Sequence, residues 1–163
     1  MTCPRCRREK QMVGKCLSII GNAYRSRRFL WGFQRANTKF AKKKYRCAIE
    51  SFQILDAPEK YQSIVFAQIA DCHFLLGDLV NARAAYMKAK QVENECGAIR
   101  PHDDSEYIIL YCDFFLKVID AREGIREARG SYKRVLQELL TKRASVALKE
   151  RYLPVPIDAI HFD

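Results

Sequence analysis

The sequence has no apolar run as long as a membrane-spanning helix requires, which is roughly 18–20 residues. Its longest apolar stretch, Tyr107–Ile119, is interrupted by Asp113 and Lys117 and is therefore predicted to be a buried helix. The first ten residues are charged, unlike a secretory signal. Because no such signal precedes the 7 cysteines and their number is odd, we expect reduced thiols and an intracellular protein, cytoplasmic or nuclear.

Residue sets that carry catalysis are also missing. There are 3 histidines. His73 follows Cys72 directly, and adjacent side chains on a helix point apart, so these two residues cannot form a dyad. No Gly-rich phosphate loop, His-Glu-x-x-His or Gly-x-Ser-x-Gly pattern occurs. We therefore expect a protein that is not an enzyme and needs no cofactor.

Cys3 and Cys6 have the spacing of a zinc-ligand pair. A Cys-x-x-Cys turn can point both thiolates at one metal ion, but a closed zinc site takes four ligands. Neither a second such pair nor a pair of histidines accompanies them. These two residues are weak metal candidates, and free thiols in a leader segment are the preferred interpretation.

Acidic residues are almost absent from the first third of the chain. Residues 1–46 contain 14 of the 29 lysines and arginines and one acid, Glu9, which gives this region a net charge of +13. The remainder carries −3, so the whole chain carries +10. The chain is therefore predicted to be a mildly acidic domain with a basic N-terminal third.

Aromatic residues are interleaved with part of this charge, where Tyr24, Phe29 and Trp31 lie among arginines. The basic patch consists of Arg25, Arg27, Arg28, Lys42, Lys43 and Lys44. Cations beside stacking faces are typical of surfaces that bind RNA or DNA. An anionic membrane surface, a nuclear-import address, a mitochondrial transit peptide and a solvated charge run are the alternatives left open.

Helical periodicity dominates residues 63–96. Small and apolar residues recur there at three- and four-residue spacing on both sides of Gly77 and Asp78, which predicts two amphipathic helices joined by a tight turn. The pattern repeats, because Ala70, Leu79, Ala82 and Tyr86 correspond 34 residues earlier to Ala36, Tyr45, Ala48 and Phe52. A weaker third copy contains Gly124, Ala128 and Tyr132. A period of 34 is that of a helix–turn–helix repeat.

On these residues the sequence resembles the tetratricopeptide repeat (TPR) family over roughly 29–142. The first copy departs from the motif by having Lys43 and Lys44 at the turn. The resemblance implies an all-α, right-handed antiparallel helical-repeat solenoid with helix pairs at 29–62, 63–96 and 107–142. Residues 1–28 would then be a basic leader and capping helix, and residues 143–163 a C-terminal cap and extended tail.

In that family the first helix of each pair lines a concave groove that binds peptides. The resemblance therefore implies non-catalytic protein binding, as an adaptor, scaffold or regulator in a larger complex. The groove positions carried over are Phe33, Asn37, Phe40, Ala67, Asp71, Phe74, Asp113, Phe114 and Lys117. For the phenylalanines, burial in the core is an equal alternative.

Other functions stay open alongside peptide binding. One is a nucleic-acid-associated factor that uses the basic third, and another is a secretion-type chaperone that cradles an exported protein. Exposed phenylalanines on the third repeat could instead form a homodimer.

Overall fold

The computed structural model describes residues 4–96, 102–124, 128–142, 144–145 and 147–153, and all regular structure within them is helical. The α-helices are α1 (Pro4–Ala41), α2 (Tyr45–Gln53), α3 (Glu59–Leu75), α4 (Leu79–Cys96), α5 (His102–Arg122) and α6 (Ala128–Thr141), and a π-helical turn follows at Ala147–Tyr152. The predicted all-α class is confirmed. The predicted loop before His102 and the tail beyond Leu153 lie outside the described residues.

The helices pack in the order of the chain. Each helix contacts the one before it and the one after it, and α3 also touches α5. Short connections at residues 42–44 and 76–78 join α1 to α2 and α3 to α4. Three consecutive helix pairs result, α1 with α2, α3 with α4 and α5 with α6.

The first two connecting turns have the same hydrogen bonds at positions 34 residues apart. In each, three successive amides close the end of a helix. The bonds run from Lys42, Lys43 and Lys44 to the carbonyls of Thr38, Phe40 and Lys39, and from Leu76, Gly77 and Asp78 to those of Cys72, Phe74 and His73. The third turn repeats the bond from the glycine position, from Gly124 to Ala121. The period read from the sequence is therefore also present in the backbone.

The middle residue of each turn has the left-handed conformation, with φ of +56° at Lys43, +77° at Gly77 and +85° at Gly124. Glycine adopts this conformation without a steric cost, whereas lysine does not. The turn before α4 is also capped, since Asp78 accepts a hydrogen bond from the amide of Asn81 at 3.2 Å. Lys44 in the first turn makes no side-chain cap. The first turn thus keeps the shape of the second with less suitable residues.

Small residues lie where paired helices approach each other. Ala36, Ala70, Ala48 and Ala82 are fully buried, and so are the two aromatic residues that follow on the second helix of each pair, Phe52 and Tyr86. Tyr45 and Leu79, the remaining corresponding pair, are both half-buried. Residues matched by the 34-residue period therefore occupy equivalent environments.

One continuous helix replaces the predicted leader helix and the first helix of repeat one. Helix α1 has 38 residues, which corresponds to a length of about 57 Å, with no break near residue 28. The side chains of residues 21–28 are exposed except for half-buried Ser26, so this stretch does not cover the first helix pair. The structure does not describe the side chains of residues 4–17. No helix in the described part of the chain is both long enough and apolar enough to cross a membrane.

Candidate binding surfaces

The nine predicted groove residues do not form an open surface. Five of them are buried in the core, and the other four are half-buried. The buried five are Phe33, Ala67, Asp71, Phe74 and Phe114. Ala67, Asp71, Phe74 and Phe114 cannot contact a ligand in this conformation, contrary to the expectation from the family motif. Phe33 is covered in part by the ring of Tyr152.

Asp71 is the centre of a buried hydrogen-bond cluster. Tyr86 on α4 donates to one carboxyl oxygen at 2.5 Å, and Tyr111 on α5 donates to the other at 2.9 Å. Gln68, one turn earlier on α3, donates its amide at 3.0 Å. Asp71 therefore joins three helices inside the protein and does not lie in the ligand groove predicted from the sequence.

Burial dominates the ionisation of this cluster. It raises the pKa of Asp71 to about 7, although the hydrogen bonds from Tyr86 and Tyr111 act in the opposite direction. Burial also raises the pKa of both tyrosines well above the ordinary value, with the charge of Asp71 as the second cause. The pKa of Cys72 rises to about 12 for the same two reasons. The Cys72 thiol is therefore protonated at neutral pH.

The half-buried groove residues are engaged locally. Asp113 pairs with Lys90 of α4 at 2.6 Å, Lys117 lies 3.5 Å from the Ser131 hydroxyl, and the ring of Phe40 packs on Tyr45. Asn37 lines a shallow cavity of about 300 Å³ with Phe33 and Tyr152. The aromatic ring of Tyr152, from the C-terminal part of the chain, thus reaches the first helix pair.

The C-terminal segment, residues 144–145 and 147–153, lies across the first helix of all three pairs. The Tyr152 ring contacts Phe33 on α1 and Tyr61 on α3, with ring centroids 5.5 and 5.8 Å apart. On α5, Asp104 accepts the amide of Ser145 at 3.0 Å, and Lys149 lies over Tyr107. We call this surface of α1, α3 and α5 the A-helix face. It corresponds to the side expected to bind a ligand, and the chain itself covers it.

The six residues of the predicted basic patch are all exposed. Arg28 and Lys42 belong to a stripe at spacings of four and three residues that continues down α1 on the side opposite buried Phe33. The stripe, which we call the cation–aromatic stripe, consists of Tyr24, Arg28, Trp31, Arg35, Thr38 and Lys42. Tyr24 and Trp31 are 67% and 66% exposed. Phe29, expected among the stacking residues, is instead buried against Phe33 and Tyr61.

A groove of about 620 Å³ lies between this stripe and α2. Its lining consists of Trp31, Gln34, Arg35, Thr38, Lys39, Lys42, Lys44 and Cys47. The Arg35 guanidinium lies 5.7 Å from the centre of the Trp31 ring, and Lys39 donates to Ser51 at 2.6 Å. Sequence reasoning missed Arg35 and Lys39 because it followed runs of charge. The seven-residue spacing of Arg28, Arg35 and Lys42 was the signal for this face.

Side chains suited to metal binding do not cluster in threes within the described ranges. Cys3 lies outside them, and the side chain of Cys6 is not described, so the structure does not test this weak candidate pair. His73 pairs with Asp78 at 3.1 Å at the turn, where the Asn81 amide lowers the pKa of Asp78. The described residues thus supply two candidate surfaces, the A-helix face and the cation–aromatic stripe.

Comparison with known proteins gives no relative for this chain. No family model, no curated protein and no solved structure matches it. The candidate function therefore depends on the chain's own geometry.

Proposed function

We propose that this chain is a non-catalytic protein-binding module made of TPR-like helix pairs. Its ligand would be a short apolar and basic segment of a partner protein, bound on the A-helix face. The repeated turns and the buried alanines at a period of 34 support the architecture. This support for the architecture does not depend on whether the predicted groove residues are exposed.

The observation that carries the proposal is the segment already bound there. Leu148 and Leu153 are 4% and 3% exposed, and Tyr152 inserts between the rings of two A helices. Each buried leucine contributes about 1.5–3 kcal/mol relative to exposure. The face therefore holds a peptide-like segment through apolar anchors, as grooves in helical-repeat proteins do.

Charge at the α5 end of the face selects the kind of ligand. Glu106 pairs with Lys142, just before the C-terminal segment, and Asp104 accepts its Ser145 amide. Lys149 stacks on Tyr107. A ligand with a leucine or aromatic anchor next to lysine or arginine would meet the same partners. Glu106 and Asp104 therefore favour a ligand with basic and apolar side chains.

Competition with the C-terminal segment provides the test. An attached segment has an effective concentration in the millimolar range, so a peptide at micromolar concentration does not displace it. The double variant Leu148→Ser/Tyr152→Ala weakens the attached copy without touching the A helices. Fluorescence anisotropy measures how a labelled peptide with the sequence of residues 142–153 binds to the wild type, to the double variant and to a control. The control is Leu140→Ser, which changes an exposed leucine.

We expect saturable binding to the double variant, and little or none to the wild type and to Leu140→Ser. The same peptide carrying the two substitutions should not bind. A double variant that retains its helical content but binds neither peptide would contradict the proposal, because the A-helix face would then have no capacity for a ligand in trans.

A further inference from the structure

We propose that the cation–aromatic stripe of α1, with the groove beside α2, is a second binding site, and that it binds single-stranded nucleic acid. It lies on the side of α1 opposite the core-facing Phe33, which the C-terminal segment contacts. The two sites are therefore separate, and this inference does not depend on the proposed peptide binding.

Charge is the first argument. No acidic residue occurs between Glu9 and Glu50, so every charged side chain in this part of α1 and α2 is positive. Within the described residues, no carboxylate forms an ion pair with Arg28, Arg35 or Lys42. Unpaired like charges along one face repel each other, and a polyanion that replaces its counterions relieves this repulsion.

Exposed rings at helical spacing are the second argument. Tyr24 and Trp31 are seven residues apart, about 10.5 Å along the helix, and cations lie between and beyond them. The whole stripe from Tyr24 to Lys42 extends for about 27 Å. A phosphate backbone can follow the cations while unpaired bases stack on the rings, which is the usual arrangement in proteins that bind single strands. In a duplex the bases are already stacked, so the rings would find no partner.

The stripe fits a membrane surface less well. A helix that lies in a bilayer interface has an apolar face next to its charged face. Here none of the stripe residues is aliphatic, and the two aromatic residues alternate with Arg28 and Arg35. The rings and the charges therefore share one face, as nucleic-acid binding requires.

Salt dependence gives the expected magnitude. If Arg28, Arg35, Lys42 and Lys44 each neutralise one phosphate, the slope of log K against log salt is about −0.7 per contact, or roughly −3 in total. Raising the salt fourfold should then weaken binding about 50-fold. Loss of one stacking base through Trp31→Ala should weaken it between about 5-fold and about 150-fold.

Trp31 is the only tryptophan of the chain, so its fluorescence reports on this surface alone. The probe is oligouridylate of about 16 nucleotides, within the footprint of single-strand-binding modules. The triple variant Arg28→Gln/Arg35→Gln/Lys42→Gln is compared with Lys88→Gln/Lys133→Gln/Arg134→Gln, which removes three exposed positive charges from α4 and α6. Both variants have the same net charge, and circular dichroism checks that both are folded.

We expect oligouridylate to quench the fluorescence of Trp31. Its binding should weaken by more than tenfold in the stripe variant, and the matched control should bind it like the wild type. Polyphosphate and polyglutamate, which lack bases, should not quench Trp31. Equal loss in both triple variants would overturn the proposal, since binding would then follow net charge alone. A blue shift with phosphatidylserine vesicles without oligouridylate binding would overturn it in favour of a membrane surface, and binding without quenching would exclude base stacking.

Discussion

Substitution of Asp71 by asparagine should remove a large part of the pH dependence of stability. In the folded protein, burial raises the pKa of this carboxyl to about 7, whereas an aspartate in an unfolded chain has a pKa of about 3.9. Below pH 4 the carboxyl is protonated in the folded and in the unfolded state, so its ionisation does not lower the free energy of unfolding. As the pH rises, the unfolded state releases the proton first, so the protein loses stability until the pH passes the folded pKa.

The size of this loss follows from the two pKa values. A difference of about three units corresponds to roughly 4 kcal/mol over the whole range, and to about 2–3 kcal/mol between pH 5 and pH 8. Asparagine has no proton to release, so the variant lacks this loss. It keeps one acceptor oxygen, and its amide group replaces the other with a donor. A change in hydrogen bonding shifts its free energy of unfolding by a constant amount, whereas the two curves should diverge with pH.

The assay is urea unfolding followed by circular dichroism at a series of pH values for the wild type, Asp71→Asn and Asp56→Asn. Asp56 is exposed, so its variant should give a curve parallel to that of the wild type. An NMR titration of the Asp71 carboxyl carbon measures the pKa directly. Parallel curves for all three proteins, or a midpoint near pH 4, would refute the inference that this carboxyl is buried between Tyr86 and Tyr111.

Further predictions concern the turns and the surface. Lys43→Gly should stabilise the protein by up to about 1 kcal/mol by relieving a left-handed lysine, and Lys44→Asp should add about 1 kcal/mol by supplying a cap, whereas Gly77→Ala should cost about 1–2 kcal/mol. Thermal unfolding measures all three changes, and destabilisation by Lys43→Gly would argue against equivalent turns. Arg83→Gln should cost less than about 1 kcal/mol, because it breaks two partly exposed ion pairs with carboxylates at the end of α5. High salt should abolish that loss, and a loss that persists in 1 M salt would contradict a purely electrostatic role.

Helix pairing could be predicted from the sequence because it depends on local chemistry. Gly77 and Asp78 specify a turn and a cap, and Ala70 and Ala82 specify a close approach of the helices on each side. The same period also identified the first turn, although Lys43 replaces the glycine. Helix boundaries near these signals, such as the start of α4, were therefore predictable.

The exposure of the groove residues could not be predicted in the same way. Asp71 is buried because Tyr111, 40 residues later, reaches it from α5. Similarly, Phe33 is covered in part by Tyr152 from the far end of the chain. Periodicity shows which residues share one face of a helix. Contacts with residues far away in the sequence determine which face is buried. Part of the cation–aromatic stripe was predicted, since Arg28 and Lys42 are exposed without a distant partner, but Arg35 was missed.

A nuclear Overhauser spectrum of the aromatic rings in the wild-type chain shows most directly whether the C-terminal segment occupies the A-helix face. If the C-terminal segment occupies the A-helix face, the Tyr152 ring protons should give cross-peaks to Phe33 and Tyr61, and the spectrum of Leu148→Ser/Tyr152→Ala, which lacks this ring, serves as the background. Addition of a peptide with the sequence of residues 142–153 to that variant should restore contacts at the same two rings. Absence of the cross-peaks in the wild type, with the helices intact, would contradict the claim that this face is a peptide-binding surface held by the chain's own end.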